Sequence, residues 1–141
     1  MFLSYSIQGY AIVSSDGMIA TARAAMATQQ LHQVLNAAWA VVAEANRYFA
    51  GEAPWALAKS DPARMATVLY VTAEVTRQIA ILAQPFMPAS CGKLLDLLGV
   101  PANQRNFSVL GGKHRIAAGT QLPAPTPVFP RYVEADAGRA S

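Results

Sequence analysis

Charge is scarce in this chain. Only 13% of its 141 residues are charged, 11 Lys and Arg against 8 Asp and Glu, while 53% are hydrophobic. Such a chain buries a core, and a disordered polyelectrolyte is excluded. A surface this poor in charge implies that another domain or a partner covers part of it. The net charge of +3 permits a polyanionic partner without requiring one. Cysteine is scarcer still: Cys91 stands alone, which excludes an internal disulfide and fits a reducing compartment. Only His32 and His114 could serve it as a base, so it reads as a structural thiol near the start of a short helix. These few ligands show no metal-binding spacing, so neither zinc nor any other cofactor is expected.

No basic start precedes the apolar first residues, and Tyr5, Ser6 and Gln8 interrupt them, so a signal peptide is not expected. Residues 24–43 are uncharged and long enough to span a bilayer, but Gln29, Gln30, His32, Gln33 and Asn36 are too polar for a lipid-facing helix. The chain therefore reads as soluble and cytoplasmic, with neither membrane nor DNA as partner. Residues 1–13 favour β structure, and Ser14-Ser15-Asp16-Gly17 reads as a turn, yet nothing later offers a strand to pair with.

Helical periodicity then takes over. Residues 18–27 suit the last turns of a helix, and Thr28 is placed to cap a second one. Its apolar stripe is Leu31, Val34, Leu35, Ala38, Val42, Ala45 and Phe49, ended by Gly51 and Pro54. Asp61-Pro62 opens a third, with Met65, Val68, Leu69, Thr72, Val75, Ile79 and Leu82 on one side and Pro85 and Pro88 at its end. Ser90 is placed to cap a short helix through Leu98, closed by Gly99 and Pro101. Short connections make neighbours antiparallel, so the middle of the chain is predicted to be an all-α antiparallel bundle. Beyond Pro101, four of the nine prolines fall within residues 121–131, predicting an extended tail anchored by Leu122, Val128 and Phe129. The expected division is a divergent segment over 1–20, a helical bundle over 21–100 and the tail over 101–141.

The densest functional signal is Ala45-Asn46-Arg47-Tyr48 followed by Ala53-Pro54-Trp55-Ala56-Leu57-Ala58-Lys59. It sets an indole on a proline-stiffened helix end between two cations, an arrangement that suits an unpaired base. Tryptophan is mostly buried, so on its own chemistry Trp55 is more often a core side chain. Asn46 and Arg47 suit local hydrogen bonding and RNA contact about equally, and Lys59 reads as a solvated cation adding to the field near Trp55. Glu74, Arg77 and Gln78 read as a surface or interhelical group, and Lys113-His114-Arg115 as a solvated basic loop.

Four motifs in order, the first made of these two runs and the others Leu82-Ala83-Gln84-Pro85-Phe86-Met87-Pro88, Lys93-Leu94-Leu95-Asp96-Leu97-Leu98-Gly99 and the closing Leu122-Pro123 with Pro127-Val128-Phe129-Pro130-Arg131, resemble the anticodon-binding domain of methionyl-tRNA synthetase, a class I aminoacyl-tRNA synthetase. The resemblance runs from about Arg23 to Glu134. It implies a class I anticodon-binding helical bundle that recognises the CAU anticodon of methionine tRNA in support of aminoacylation. It also implies that Pro54 and Trp55 form the pair whose indole stacks on the first anticodon base, with Asn46, Arg47 and Lys59 beside it. The family's preceding helix, which carries an asparagine and an arginine for reading cytosine, has no recognisable counterpart in residues 1–20, so reduced anticodon selectivity is expected. The phosphate-handling motifs of the family's catalytic domain are absent as well. The chain is thus expected to act as part of a methionine--tRNA ligase, with tRNA and a synthetase catalytic domain as partners and no catalysis of its own. The alternative is a helical protein-interaction module docking on that catalytic domain or on another chain. A free-standing enzyme built from Cys91, His32 and His114 is the weakest reading.

Overall fold

Asp61 and Pro62 set the start of a well-packed helix of 22 residues, as their order predicts. The Asp61 carboxylate accepts from the Arg64 backbone N–H at 2.9 Å, and Pro62 occupies the first turn, where a missing N–H costs nothing. A computed structural model describes the backbone of residues 3–130 and the side chains of residues 15–130. Five helices run in order: α1 (Leu3–Ala27), α2 (Leu31–Glu52), α3 (Pro54–Ser60), α4 (Pro62–Ala83) and α5 (Pro88–Leu97). No strand occurs among the described residues, and the predicted all-α bundle is what forms.

Helices α1, α2 and α4 pack on one another, while α3 and α5 each lie against α4. Met18, Ala22 and Ala25 of α1 meet Val34, Ala38, Val41 and Tyr48 of α2 and Val68, Val71 and Val75 of α4. A second cluster joins the end of α4 to α5 and the following segment through Ile81, Leu95, Val100 and Val109. Arg64 near the start of α4 pairs with Glu52 at the end of α2 at 2.7 Å, so these two helices run antiparallel. Helix α4 is long and apolar enough to cross a membrane, but half of the qualifying stretch is buried inside the bundle.

Several local expectations are corrected. The β-favouring start and the turn at residues 14–17 are instead part of α1. With no partner strand available, a helix satisfies the backbone groups within the segment itself. Thr28 does not cap α2. Its hydroxyl donates back to the Ala24 and Ala25 carbonyls and closes α1, while Gln29 takes a positive φ of 58° and Gln30 precedes the first residue of α2. Ser90 lies inside α5, which starts at Pro88 with Met87 as the flanking residue. Leu31 and Leu69 are exposed, and Val41 and Val71 enter the core alongside their neighbours. The central helix is buried on more than one side, which a single stripe does not anticipate.

Beyond α5, Gly99 adopts a positive φ of 65° and turns the chain. Three 3₁₀ turns follow, at Ala102–Gln104, Phe107–Val109 and Gly112–His114, where an extended run was expected. Residues 115–130 hold no regular element. Of the expected anchors, Leu122 is exposed, Val128 is partly buried, and Phe129 is largely exposed yet lines the groove between α2 and α4; Val109, which is buried, also holds the chain after α5. The end of the predicted tail, residues 131–141, lies outside the described residues.

Glu74, Arg77 and Gln78, expected on a surface or between helices, lie in the interior at 0%, 2% and 0% exposure. Arg77 donates to both carboxylate oxygens of Glu74, at 2.9 and 2.7 Å, and to the Val109 carbonyl at 3.3 Å. Glu74 also accepts from the Ile116 backbone N–H at 3.0 Å, and the Tyr70 hydroxyl donates to the Ile116 carbonyl at 3.0 Å. Gln78 reaches Asp16 on α1 at 3.3 Å. One buried charge pair thus fastens the segment after α5 to the middle of α4. Cys91 is buried in α5 as a structural thiol would be, and burial pushes its pKa up, which keeps it protonated and unreactive.

Candidate nucleic-acid interface

The corner between α2 and α3 is made by one residue. Ala53 takes a left-handed conformation, φ 44° and ψ 63°, and serves both as the C-cap of α2 and as the residue before α3. Its N–H donates to the Phe49 carbonyl at 3.1 Å and closes α2, and Pro54 then starts α3 at once. Gly51, which the sequence offers as a terminator, stays inside α2 with open space around it. The Glu52–Arg64 pair braces this corner from the α4 side. The hydrogen bond that Arg64 donates to the Glu52 carboxylate holds the guanidinium pKa above its usual value.

Trp55 is the second residue of α3 and is 67% exposed. Its ring meets Phe49 edge-on, with centroids 6.0 Å apart and planes inclined at 62°. Pro54, the residue before it, is buried. An indole held by a buried proline and a neighbouring aromatic edge, yet open to solvent over most of its surface, is a rigid flat plate. Core burial, the commoner fate of tryptophan, is not what the fold gives it.

The cations expected beside Trp55 are both exposed. Lys59 stands four residues after Trp55, one turn along the same side of α3, and makes no ion pair among the described residues. Arg47 is 71% exposed and forms a surface pair with Glu44 three residues back. Pairs of this kind contribute about 0–1 kcal/mol, so the guanidinium is free to exchange partners. Asn46 is exposed on the neighbouring side of α2, where its amide can donate and accept.

Asn46 and Phe49 also line a groove of about 480 Å³ that runs along α2 and α4. Trp39 lies on the same wall and is 53% exposed, a residue that the sequence reading did not single out. The signal was present: positions 39, 42, 46 and 49 follow one another by three, four and three residues, a single helical face. The opposite wall carries Thr72, Thr76 and Ile79 of α4. The Lys113-His114-Arg115 cluster lies elsewhere, on a turn where Arg115 approaches Asp16 at 3.6 Å.

Comparison with known proteins identifies the family and the fold. The family described as the anticodon binding domain of methionyl tRNA ligase matches residues 10–139. The methionine--tRNA ligase of Rhizobium meliloti is 60% identical over 126 residues, 89% of this chain and 24% of that protein. The Brucella suis enzyme is 63% identical over 123 residues, 86% of this chain and 24% of its own length. In three dimensions the apo crystal structure of Mycobacterium tuberculosis methionyl-tRNA synthetase superposes with a TM-score of 0.85 at 43% identity, covering 92% of this chain and 26% of that one. The chain spans about a quarter of the length of these relatives. A match across nearly the whole helical bundle, at this identity and with this shape, leaves one conclusion: the chain belongs to the family of methionyl-tRNA ligase anticodon-binding domains.

Proposed function

We propose that this chain binds the anticodon loop of methionine tRNA, CAU, and acts in the cytoplasm together with a synthetase catalytic domain that supplies the aminoacylation chemistry. Trp55 is the stacking plate for an unstacked anticodon base, and Pro54 fixes its direction. Lys59 and Arg47 attract the loop phosphates, and Asn46 offers polar contacts at the edge of the plate. The observation that supports this reading most strongly is the exposure of Trp55 on a proline-initiated helix end braced by Phe49. A side chain that would gain from burial is held in the open at a stiff corner, and family membership gives that position a reason. Stacking accepts every base, so the chain is expected to prefer CAU loops over others only modestly.

The test is a titration of the purified chain against a CAU stem-loop and a non-CAU stem-loop. Trp55→Ala removes a stack of about 1–3 kcal/mol, an expected weakening of roughly 5- to 150-fold, with helical circular dichroism unchanged. Trp55→Phe should recover part of the loss. Equal binding by the Ala variant and the parent chain would sink the stacking role.

A further inference from the structure

Lys113, His114 and Arg115, a solvated loop by their sequence, line a cleft of about 400 Å³. Arg77 of α4 reaches the same cleft from the interior, and no acidic side chain stands in the lining among the described residues. Lys113 and His114 make no hydrogen bond or ion pair among the described residues. Arg115 has one ionic contact there, its loose approach to Asp16 at 3.6 Å. Its guanidinium folds back over Gly112, where a Cβ would come within 3.1 Å of it. Arg77 donates from Nη1 to the Val109 carbonyl and from Nη2 to Glu74, and each of these nitrogens carries a second N–H with no acceptor among the described residues. Buried donors are normally satisfied, so these two point to a missing acceptor.

The cleft is built before any ligand arrives. Tyr70 and Glu74 hold Ile116 by its carbonyl and its N–H, which fixes the turn that carries the three basic residues. Cations and N–H donors that converge without a carboxylate suit an anion with several oxygens, and the planar fork of arginine matches phosphate. A bare phosphate fills only part of this volume, which falls within the range of small-molecule sites. The rest of the lining is largely apolar, with Leu98, Val100, Pro101 and Ile116, and suits the organic body to which a phosphate is esterified. The Trp55 corner is a separate place. Arg64, which braces that corner, and Arg77 lie about 20 Å apart along α4, at about 1.5 Å of rise per residue.

We propose that this cleft is a phosphate-ester site: it holds a nucleotide unit by its phosphate on Lys113, Arg115 and the spare N–H groups of Arg77, with the body of the unit against the apolar wall. The unit is a free nucleotide or a nucleotide of bound RNA outside the anticodon stem-loop, and the recognising chemistry is the same. The intact chain is titrated with AMP, adenosine and inorganic phosphate, followed by phosphorus NMR and calorimetry. AMP should saturate and bind roughly tenfold tighter than inorganic phosphate, and adenosine should not bind. Lys113→Ala and Arg115→Ala should each weaken AMP binding roughly tenfold with the thermal midpoint unchanged. Arg23→Ala, which removes an exposed cation outside the lining, should stay within about twofold of the parent. The cleft variants should bind the CAU stem-loop as the parent does, and Trp55→Ala should bind AMP as the parent does, so failure of one site leaves the other standing. Full-length methionine tRNA separates the two sources. If the double variant of Lys113 and Arg115 weakens tRNA binding at least fivefold and AMP competes with tRNA, RNA supplies the phosphate; if tRNA is held equally well, a free nucleotide does. The proposal is overturned if AMP does not saturate, if adenosine binds as well as AMP, or if Arg23→Ala weakens AMP binding as much as the cleft variants do. Inorganic phosphate binding as tightly as AMP would also overturn it, since the cleft would then be a general anion pocket.

Discussion

Ala53 carries an unusual burden for its size. A non-glycine residue in the left-handed region is sterically disfavoured by roughly 1–2 kcal/mol, yet here it turns α2 into α3 and so aims Trp55. Glycine adopts that conformation freely. Ala53→Gly is therefore expected to raise the urea midpoint, by an amount equivalent to about 0.5–1 kcal/mol after the greater freedom of glycine in the unfolded chain is counted. Stem-loop affinity should stay the same or fall slightly, because the corner loses stiffness. A lower midpoint would show that the Ala53 methyl contributes packing that outweighs its strain. At the same scale, the position of Trp55 was readable as a motif, and its exposure was expected from the family resemblance but not from the chemistry of the residue itself, which favours burial. Whether an indole is buried depends on what stands over it, and that is set by residues far along the chain.

Helix α4 is the element on which the rest is assembled. It touches α1, α2, α3 and α5, and through Glu74 and Arg77 it also holds the segment at residues 109–116. Glu74→Gln would leave the Arg77 guanidinium buried with a neutral partner. Removing one member of a buried pair costs about 3–5 kcal/mol, so the denaturation midpoint should fall sharply and residues 109–116 should become accessible to proteases first. Replacing both residues with Met and Leu should cost much less, because no charge is then stranded. Similar losses in the single and double variants would mean that the pair matters only for its volume. The sequence showed Glu74 and Arg77 as an i,i+3 pair, which is ordinary on a helix surface. Its burial could not be read there, since it follows from a loop more than thirty residues later folding over that face. The start of α1 was missed for a related reason: β propensity is a weak preference, and it yields where no strand is available to pair with.

For the molecule as a whole, sparse charge sets the character of binding. With Arg47 and Lys59 as the two exposed cations of the Trp55 corner, about two phosphates are neutralised. The slope of log affinity against log salt is then about −1.4, taking roughly −0.7 per contact on a single strand. Affinity for the CAU stem-loop should drop about sevenfold between 50 and 200 mM salt. Replacing Lys59 with Ala should flatten the slope by about half and weaken all loops alike, since phosphate contacts carry no sequence information. A slope several times steeper would move the interface towards a more basic surface such as the Lys113-His114-Arg115 turn.

The sequence alone determined the helical architecture, the start of α4 and the motif run that marks the family, because these depend on residues near one another: caps, prolines and 3.6-residue periodicity act over a turn or two. Only the tertiary structure decided that Trp55 stands open, that Glu74 and Arg77 are buried, that Trp39 shares a wall with Asn46, and that Arg77 shares a cleft with the Lys113-His114-Arg115 turn. Each of these is a matter of which surfaces end up covered. Coverage is decided by long-range packing of the whole chain, and no local pattern encodes it.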